Sequence, residues 1–505
     1  MRDIRQSCVL PVFFFGTVFA PATVLAQTAG TFTAVGNMTT PRFNHTATLL
    51  PNGKVLVAGG TVDPFKGLAV SSAELYDPFT GTFTVTGSMR MARSSHTATL
   101  LPDGKVLIAG GVDNDGDAVL AAELYDPATG VFTATGRMSS LHTCATLLNT
   151  GSVLMSLPTS GNAEVYDPST GTFLPAGAYL GATGGHFTTT ATLLADGGVL
   201  IAGAATSPGP IYNPNPITAQ LYDSATGMFS PTGAMIHPNA FSGRLATLLT
   251  NGTVLFTGGL VIGNSQPYAG YPDGELYNPS TGIFIASGKL FQPRAEHTAT
   301  LLPDGGVLIT GGISANAQSA ALYDYQRSAE LYDPHSGTFS SAGNMTTVRV
   351  NHVATLLKDG AVLITGGTQS YGQTSFQVTL DTAELYKPSV PVPAPVLYSL
   401  SNDGQEQGAI WDAITGQIAS PANPALAGEV LSMYTTSLVT DGVVPPQVSV
   451  GGRLADVLYF GGAPGYAGYY QVNVRVPSGV GPGVAVPVRL TYLGRPSNTV
   501  TIGVR

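Results

Sequence analysis

Charge is what this chain has least of. Of its 505 residues only 10% are Asp, Glu, Lys or Arg, the formal charge is −9, and Lys and Arg cluster nowhere. A surface that tracks phosphates needs such clusters, so nucleic acid is excluded as a partner class. Cysteine is scarcer still, with Cys8 and Cys144 alone. Cys8 falls inside an N-terminal leader, so the mature chain has one thiol and cannot close an internal disulfide, even where export would permit one. Cys144, in Thr143-Cys-Ala-Thr-Leu-Leu148, reads as a small buried apolar residue at a place where other copies of the phrase have Ala. Long apolar runs are missing after residue 26, so no membrane span is expected once the leader is removed. That leader has Arg2 and Arg5, an apolar stretch from Cys8 to Ala20, and Val24-Leu25-Ala26 before the cut. It is too short, and too interrupted by Pro11 and Pro21, to serve as an anchor. The expected product is exported and ends up secreted or at the cell surface. Thr, Ser, Gly and Pro dominate the remaining polar fraction, as in β-rich, turn-rich exported chains.

What is present is repetition. Thr46-Ala-Thr-Leu-Leu-Pro-Asn-Gly-Lys-Val-Leu-Val-Ala-Gly-Gly60 returns as Thr97 to Gly111 and Thr298 to Gly312, with weaker copies from Thr143, Thr190, Leu245 and Val353. Each is followed by a second phrase, Ala-Glu-Leu-Tyr-Asp-Pro-x-Thr-Gly-x-Phe, as at Ala73 to Phe83. A period of about 50 residues built from these parts is identified as the kelch repeat of β-propellers. Each unit reads as four short strands. His45 to Leu50 is followed by a Pro-Asn-Gly hairpin turn, then by the apolar run Lys54 to Ala58. Ala73 to Tyr76 and a strand from Thr82 flank an Asp-Pro turn.

Counting strands shows how the ring closes. The chain has seven third-strand phrases, but the first outer-strand Phe, Phe32, precedes any complete unit, and nothing follows Tyr386-Lys-Pro388. Gly30 to Val35 is therefore expected to supply the outer strand of the last blade and cover its open edge. The expected organisation is a signal peptide over 1–26, a seven-bladed kelch propeller over 27–388, a Pro-rich linker over 389–395 and a small immunoglobulin-like β-sandwich over 396–505. The C-terminal stretch Leu458 to Pro477, with Ser497-Asn-Thr-Val-Thr-Ile502, resembles a domain without assigned activity that is common on large exported proteins of soil bacteria. The fold class is thus all-β.

Long connections after the second strand mark one face of the ring, and loops of this kind carry function. The later ones hold Tyr212, Tyr268, Tyr271, Tyr323, Tyr325, Tyr371 and Phe376, which suit stacking on a sugar or peptide and are the candidate ligand residues. Blade three has Met155-Ser-Leu-Pro158 in place of Gly-Gly and almost no loop, which predicts a notch in the rim. Arg-x-x-His recurs at Arg42/His45, Arg93/His96, Arg294/His297 and Arg349/His352. It reads as a repeated packing solution, with each Arg paired across a blade junction to a strand-three Glu (Glu74, Glu123, Glu275, Glu330 or Glu384), in preference to a metal or anion ring. The Gly-Gly pairs are strand-end geometry without a phosphate-loop context. Asp113-Asn-Asp-Gly-Asp117 has the alternating carboxylates of a calcium loop but Ala118 where that motif needs Gly, and reads as a solvated turn.

Arg93-Ser-Ser-His-Thr-Ala-Thr-Leu-Leu-Pro-Asp-Gly-Lys-Val-Leu107 resembles the propeller phrases of the galactose oxidase type, whose members also join a seven-bladed kelch propeller to a C-terminal immunoglobulin-like domain. That resemblance implies a copper-radical site with a Cys cross-linked to a Tyr, an adjacent Tyr-His pair and a His from the C-terminal domain. Here no His follows a Tyr, the C-terminal region has no His, and Cys144 is the one thiol left, so no catalytic residue carries over. The expectation is therefore a monomeric, exported, non-catalytic binding or adhesion protein, without cofactor or metal, that takes extracellular carbohydrate or protein on its long-loop face. The alternative is a carbohydrate-directed oxidase, or an epimerase as in sialic acid mutarotation, of this architecture with a diverged site.

Overall fold

The computed structural model describes residues 29–156, 162–179, 189–203, 219–236, 243–261, 269–270, 272–315, 323–370, 377–389, 395–401, 406–438, 445–463, 469–492 and 495–505. The leader over 1–26 lies outside them. All the regular elements described are strands, and no helix among the described residues is long and apolar enough to cross a membrane. Two compact units emerge, Ala29–Pro388 and the C-terminal region from Ser389.

Seven four-stranded antiparallel sheets make up the first unit. In blade 1 the strands are Thr46–Leu49, Val55–Ala58, Ala73–Asp77 and Thr82–Val85, in that order from the inside outwards. Neighbouring first strands touch one another all the way round, from Thr46–Leu49 through Thr97–Leu100 and on to Val353–Leu356, which returns to Thr46–Leu49. The second strands are apolar and buried along their whole length, because both of their faces meet neighbouring blades. Between blades 1 and 2, for example, Leu56, Ala58 and Ala73 pack on Val106, Ile108 and Tyr125. The repeat builds one such cluster at each of the seven junctions.

The ring closes as the strand count requires. Thr31–Ala34 pairs antiparallel with Ala383–Lys387, in the register Phe32 to Tyr386. The ring of Phe32 lies 4.9 Å from that of Tyr386, the same Tyr–Phe contact found at 4.9 Å between Tyr76 and Phe83 in blade 1. Gly30 donates its N–H to the Tyr386 hydroxyl at 3.3 Å. A side chain at Gly30 would strike Tyr386 at 2.5 Å, so the chain needs glycine where it first meets the blade.

The C-terminal unit holds seven strands in the order Ile410–Asp412, Val430–Thr435, Tyr470–Arg475, Arg453–Gly462, Gln447–Val450, Gly483–Tyr492 and Arg495–Val504. Bulges in the two long strands Arg453–Gly462 and Gly483–Tyr492 let this sheet bend. It folds nearly closed over one apolar core that includes Leu431, Met433, Val448, Val472, Val488, Leu490 and Ile502.

Candidate functional site at the axial mouth of the propeller

In blades 1, 2, 6 and 7 the segment leading into the first strand runs over the long-loop face, and it is built by three residues. Arg42 is fully buried and bonds the carbonyls of Gly59 (2.7 Å) and Ser72 (3.1 Å) and the carboxylate of Glu74 (2.8 Å). Arg93–Glu123, Arg294–Glu330 and Arg349–Glu384 repeat the pair. The Arg–Glu pairing expected from the sequence is present, but it lies within one blade and not across a junction. The junction is crossed by the His. His45 Nε2 bonds Thr365 Oγ1 at 2.9 Å, His96 reaches Thr46 at 3.0 Å, His297 reaches Thr257 at 3.0 Å and His352 reaches Thr310 at 3.0 Å. Each of these Thr residues belongs to the preceding blade.

The Gly-Gly pairs complete the joint. Gly366 has φ 59, and a Cβ there would lie 2.2 Å from the carbonyl of Arg42 in the next blade. Burial, followed by the neighbouring guanidinium, pushes the imidazoles of His96, His297 and His352 down to about 3, and that of His45 well below its ordinary range. These rings are neutral pins between blades, as the packing interpretation holds.

Between Arg and His stands a third residue that sequence reasoning missed. Asn44, Ser95, Glu296 and Asn351, each immediately before its His, adopt φ of 50 to 55. Gly243, two residues before Leu245–Leu248 in blade 5, has φ +66. Their peptides form a chain around the axis: Ser95 donates to the Asn44 carbonyl (2.9 Å), Asn44 to Asn351 (3.3 Å) and Asn351 to Glu296 (3.3 Å). These residues make a partial crown over blades 5, 6, 7, 1 and 2. The signal was in the sequence: Asn at this position in two repeats is a left-handed cue.

Outside the crown stands a wall. Phe43, Ser94, Ala295 and Val350 each bridge to the start of the long connection of their own blade, at Thr61, Val112, Ile313 and Thr368. In the connections of blades 1, 5, 6 and 7, Thr61–Asp63 pairs antiparallel with Leu68–Ala69, Leu260–Val261 with Ala269–Gly270, Ile313–Ala315 with Tyr323–Tyr325 and Thr368–Ser370 with Gln377–Thr379. Gln377 donates to the Tyr325 hydroxyl at 2.8 Å and joins the hairpins of blades 6 and 7. Asn114 Oδ1 accepts the Ala69 N–H at 2.6 Å and joins blades 1 and 2. Asp113 Oδ1 accepts the N–H groups of Asp115 and Asp117, both at 3.0 Å, which closes that acidic loop as a turn. Of the candidate tyrosines, Tyr323 and Tyr325 lie on the blade 6 hairpin. Tyr212, Tyr268, Tyr271 and Tyr371 lie outside the described residues, as does Phe376.

Blade 3 breaks the pattern. Its lead-in is two residues shorter, and His142, not Arg, meets the strand-three carboxylate, with Nε2 2.7 Å from Glu164 Oε2. Cys144 is half-buried, not buried, and its register with Ser156 gives it the place of Thr46 and not that of an Ala. The phenol of Tyr179, which occupies the place of Met38 and Met89, is raised by burial and has Ser156 and Cys144 as neighbours. In blade 5, Arg244 stands at the His position and pairs with Glu275 at 2.8 Å.

No protein family matches the sequence, and no curated protein does. Among solved structures, the chain is similar to one described as a novel fungal alcohol oxidase with catalytic diversity among the AA5 family, in complex with copper. The identity is 17% and the TM-score 0.59, over 94% of this chain and 100% of that one. The likeness shows the fold, and it overturns the expectation of a non-catalytic adhesion protein. The matched structure, covered along its whole length, is that of an alcohol oxidase, which favours the alternative of an oxidase over the adhesion reading.

Among the described residues the donors of the copper site that this architecture implies do not come together; His186 and His237 lie outside those residues. Among the described residues no three His, Cys, Asp or Glu side chains gather to hold a metal. The recurring His residues engage Thr hydroxyls through Nε2, and residues 396–505 contain no His. Among the described residues no group of donors gathers at the thiol–phenol neighbourhood of Cys144 and Tyr179 to hold a metal.

Proposed function

We propose that this chain is a carbohydrate-directed oxidase or epimerase of galactose-oxidase-like architecture whose active site has diverged from the copper-radical donor set. The observation that carries the reading is the whole-chain likeness to an alcohol oxidase, over 94% of this chain and all of the other. The axial mouth is its active site. The partial crown of polar residues forms the floor, and the paired strands of the long connections form the wall. Tyr212, Tyr268, Tyr271, Tyr323, Tyr325 and Tyr371 stack on sugar faces at the rim, where an aromatic face and a few fixed polar groups give a shallow site its affinity. The enzyme is exported through its leader, acts on extracellular carbohydrate as a monomer, and carries an immunoglobulin-like C-terminal domain of the soil-bacterial type as an accessory.

The test is a panel of primary alcohols, aldoses and uronic or sialic acids with the purified mature protein. Peroxide release in air reads oxidation, and saturation-transfer NMR between anomers or epimers reads epimerisation. Turnover above the uncatalysed rate in one of the two is expected. A protein inert in both across the panel overturns the reading.

A further inference from the structure

We propose that the outer face of the C-terminal sheet is a binding platform for the extended chain of a neutral polysaccharide, with Trp411 and Tyr459 stacking on its sugar rings and Gln471 and Asn473 bonding its hydroxyls. The site lies in the C-terminal unit, and the inference does not rest on the reading above.

Strand alternation sets the face. Ile410, Leu431, Met433, Val472 and Val474 turn inward to the core, and Phe460 packs against it. Their chain neighbours turn the other way. The pairings of Trp411 with Ser432, Ser432 with Asn473, Tyr434 with Gln471 and Asn473 with Tyr459 bring six of these into one patch. The patch crosses four neighbouring strands. Three inter-strand spacings amount to about 14 Å, which is wider than a single sugar ring and suits several linked ones.

Aromatic rings stand at both ends of the patch. Trp411 is half-buried and meets Tyr434 edge-on, with ring centroids 5.5 Å apart and planes at 77°. At the other end Tyr459 lies down along its own strand. A Cβ at Gly461 would sit 2.8 Å from the Tyr459 hydroxyl and 3.2 Å from its Cζ, so the ring covers the glycine and is laid against the sheet. Tyr459 is 44% exposed, which leaves its outward ring face to solvent.

Between the aromatics is a fixed polar group. Ser432 Oγ and Gln471 Nε2 both donate to Asn473 Oδ1, each at 2.9 Å. Those two bonds fill the lone pairs of that oxygen. Asn473 Nδ2 remains as a donor and Gln471 Oε1 as an acceptor, and neither has a partner among the described residues. A fixed donor and acceptor beside aromatic faces suit the hydroxyls and the apolar faces of sugar rings. A lipid tail or an apolar peptide would cover these polar groups and leave them unpaired. Charge narrows the class further. The patch holds no charged side chain, and at its margin Asp456 stands opposite Arg475 in register. A neutral chain fits this face, and a uronate or sulfated one does not.

Trp411 is the one tryptophan of the chain, so its emission reads occupancy of this face in the intact mature protein. Cellohexaose, xylohexaose and mannohexaose serve as neutral extended chains, and hexagalacturonate as the charged one. A saturable shift of emission is expected with at least one neutral chain, and none with hexagalacturonate. Tyr459→Leu keeps apolar bulk and removes the ring face, and it should weaken binding at least about tenfold. Tyr459→Phe should bind within about twofold of wild type, because the hydroxyl makes only a 3.4 Å contact with the Gly462 carbonyl. An emission unmoved by all three neutral chains overturns the proposal. Undiminished binding in Tyr459→Leu also overturns it, since the contact is then apolar and not stacking. Hexagalacturonate bound as tightly as the neutral chains does the same. Turnover on the substrate panel is a separate readout, so a protein that is inert there but shifts its emission upholds the platform and overturns only the proposed function.

Discussion

Replacing Glu123 by Gln and, separately, Glu164 by Gln is the same chemical change at equivalent places in blades 2 and 3, yet the two should differ in free energy by about 2 kcal/mol. Glu123 accepts from Arg93 at 2.9 Å and from the Arg90 N–H at 2.7 Å. Arg93 is 0% exposed and its other bonds go to the carbonyls of Gly110 and Ala121. A guanidinium cannot shed its proton, so Glu123→Gln leaves an uncompensated buried charge, at a cost of about 3–5 kcal/mol. Glu164 accepts from the Ser139 N–H at 3.0 Å and meets His142, which is also 0% exposed. Burial lowers the His142 pKa, and Glu164 is the group that opposes this. Without that carboxylate the ring is neutral at pH 7 and the loss is that of one buried hydrogen bond, about 1–3 kcal/mol. Urea unfolding at pH 7, followed by tryptophan-independent far-UV circular dichroism, measures both. Equal losses would refute the argument that charge, not hydrogen bonding, sets the cost at these joints.

Three further outcomes are expected. Deleting residues 29–35 removes the strand paired with Ala383–Lys387 and the partial burial of Phe32, which is worth a fraction of the roughly 1.5–3 kcal/mol of a fully buried Phe; a melting temperature equal to that of the mature protein would contradict ring closure. His96, His297 and His352 are held neutral with pKa near 3 against 6.5 unfolded, so their stabilisation is full above pH 6.5 and is lost as pH falls toward 3. The three together should contribute a drop of about 4 kcal/mol per pH unit inside that window, to which His45 adds, and His96→Gln should remove about a third of the contribution of the three. Exhaustive chelation should leave turnover unchanged because the described donors do not assemble a copper site; activity restored by copper alone would count against that conclusion.

The blades were legible because they are local. Hairpin turns, the Tyr–Phe pair and the apolar second strand recur within single units, and the unpaired Phe32 showed where the ring closes. The joints were less legible. The repeat shows that a lead-in Arg meets a strand-three Glu, but that Arg42 meets Glu74 of its own blade, and not a Glu across the junction, follows only from the path of the lead-in over Gly59 and Ser72. In blade 3 a two-residue shortening put His142 in the role of an Arg and Cys144 in that of a Thr, and a count by phrase misaligns both. The crown was hidden for another reason. Asn44, Ser95, Glu296 and Asn351 share a backbone conformation and not a side chain, so no motif search collects them. The expected non-catalytic role rested on missing copper ligands, and losing one donor set does not remove a site made of other residues.

The central claim is that substrate is held at the axial mouth by the crown. Its most direct test is the kinetics of the double variant Asn44→Gly/Asn351→Gly, since glycine keeps the left-handed backbone and removes only the two amides. The account predicts KM raised about tenfold or more, the equivalent of about 1.4 kcal/mol in binding, with an unchanged melting temperature. An unchanged kcat/KM in that variant would contradict it.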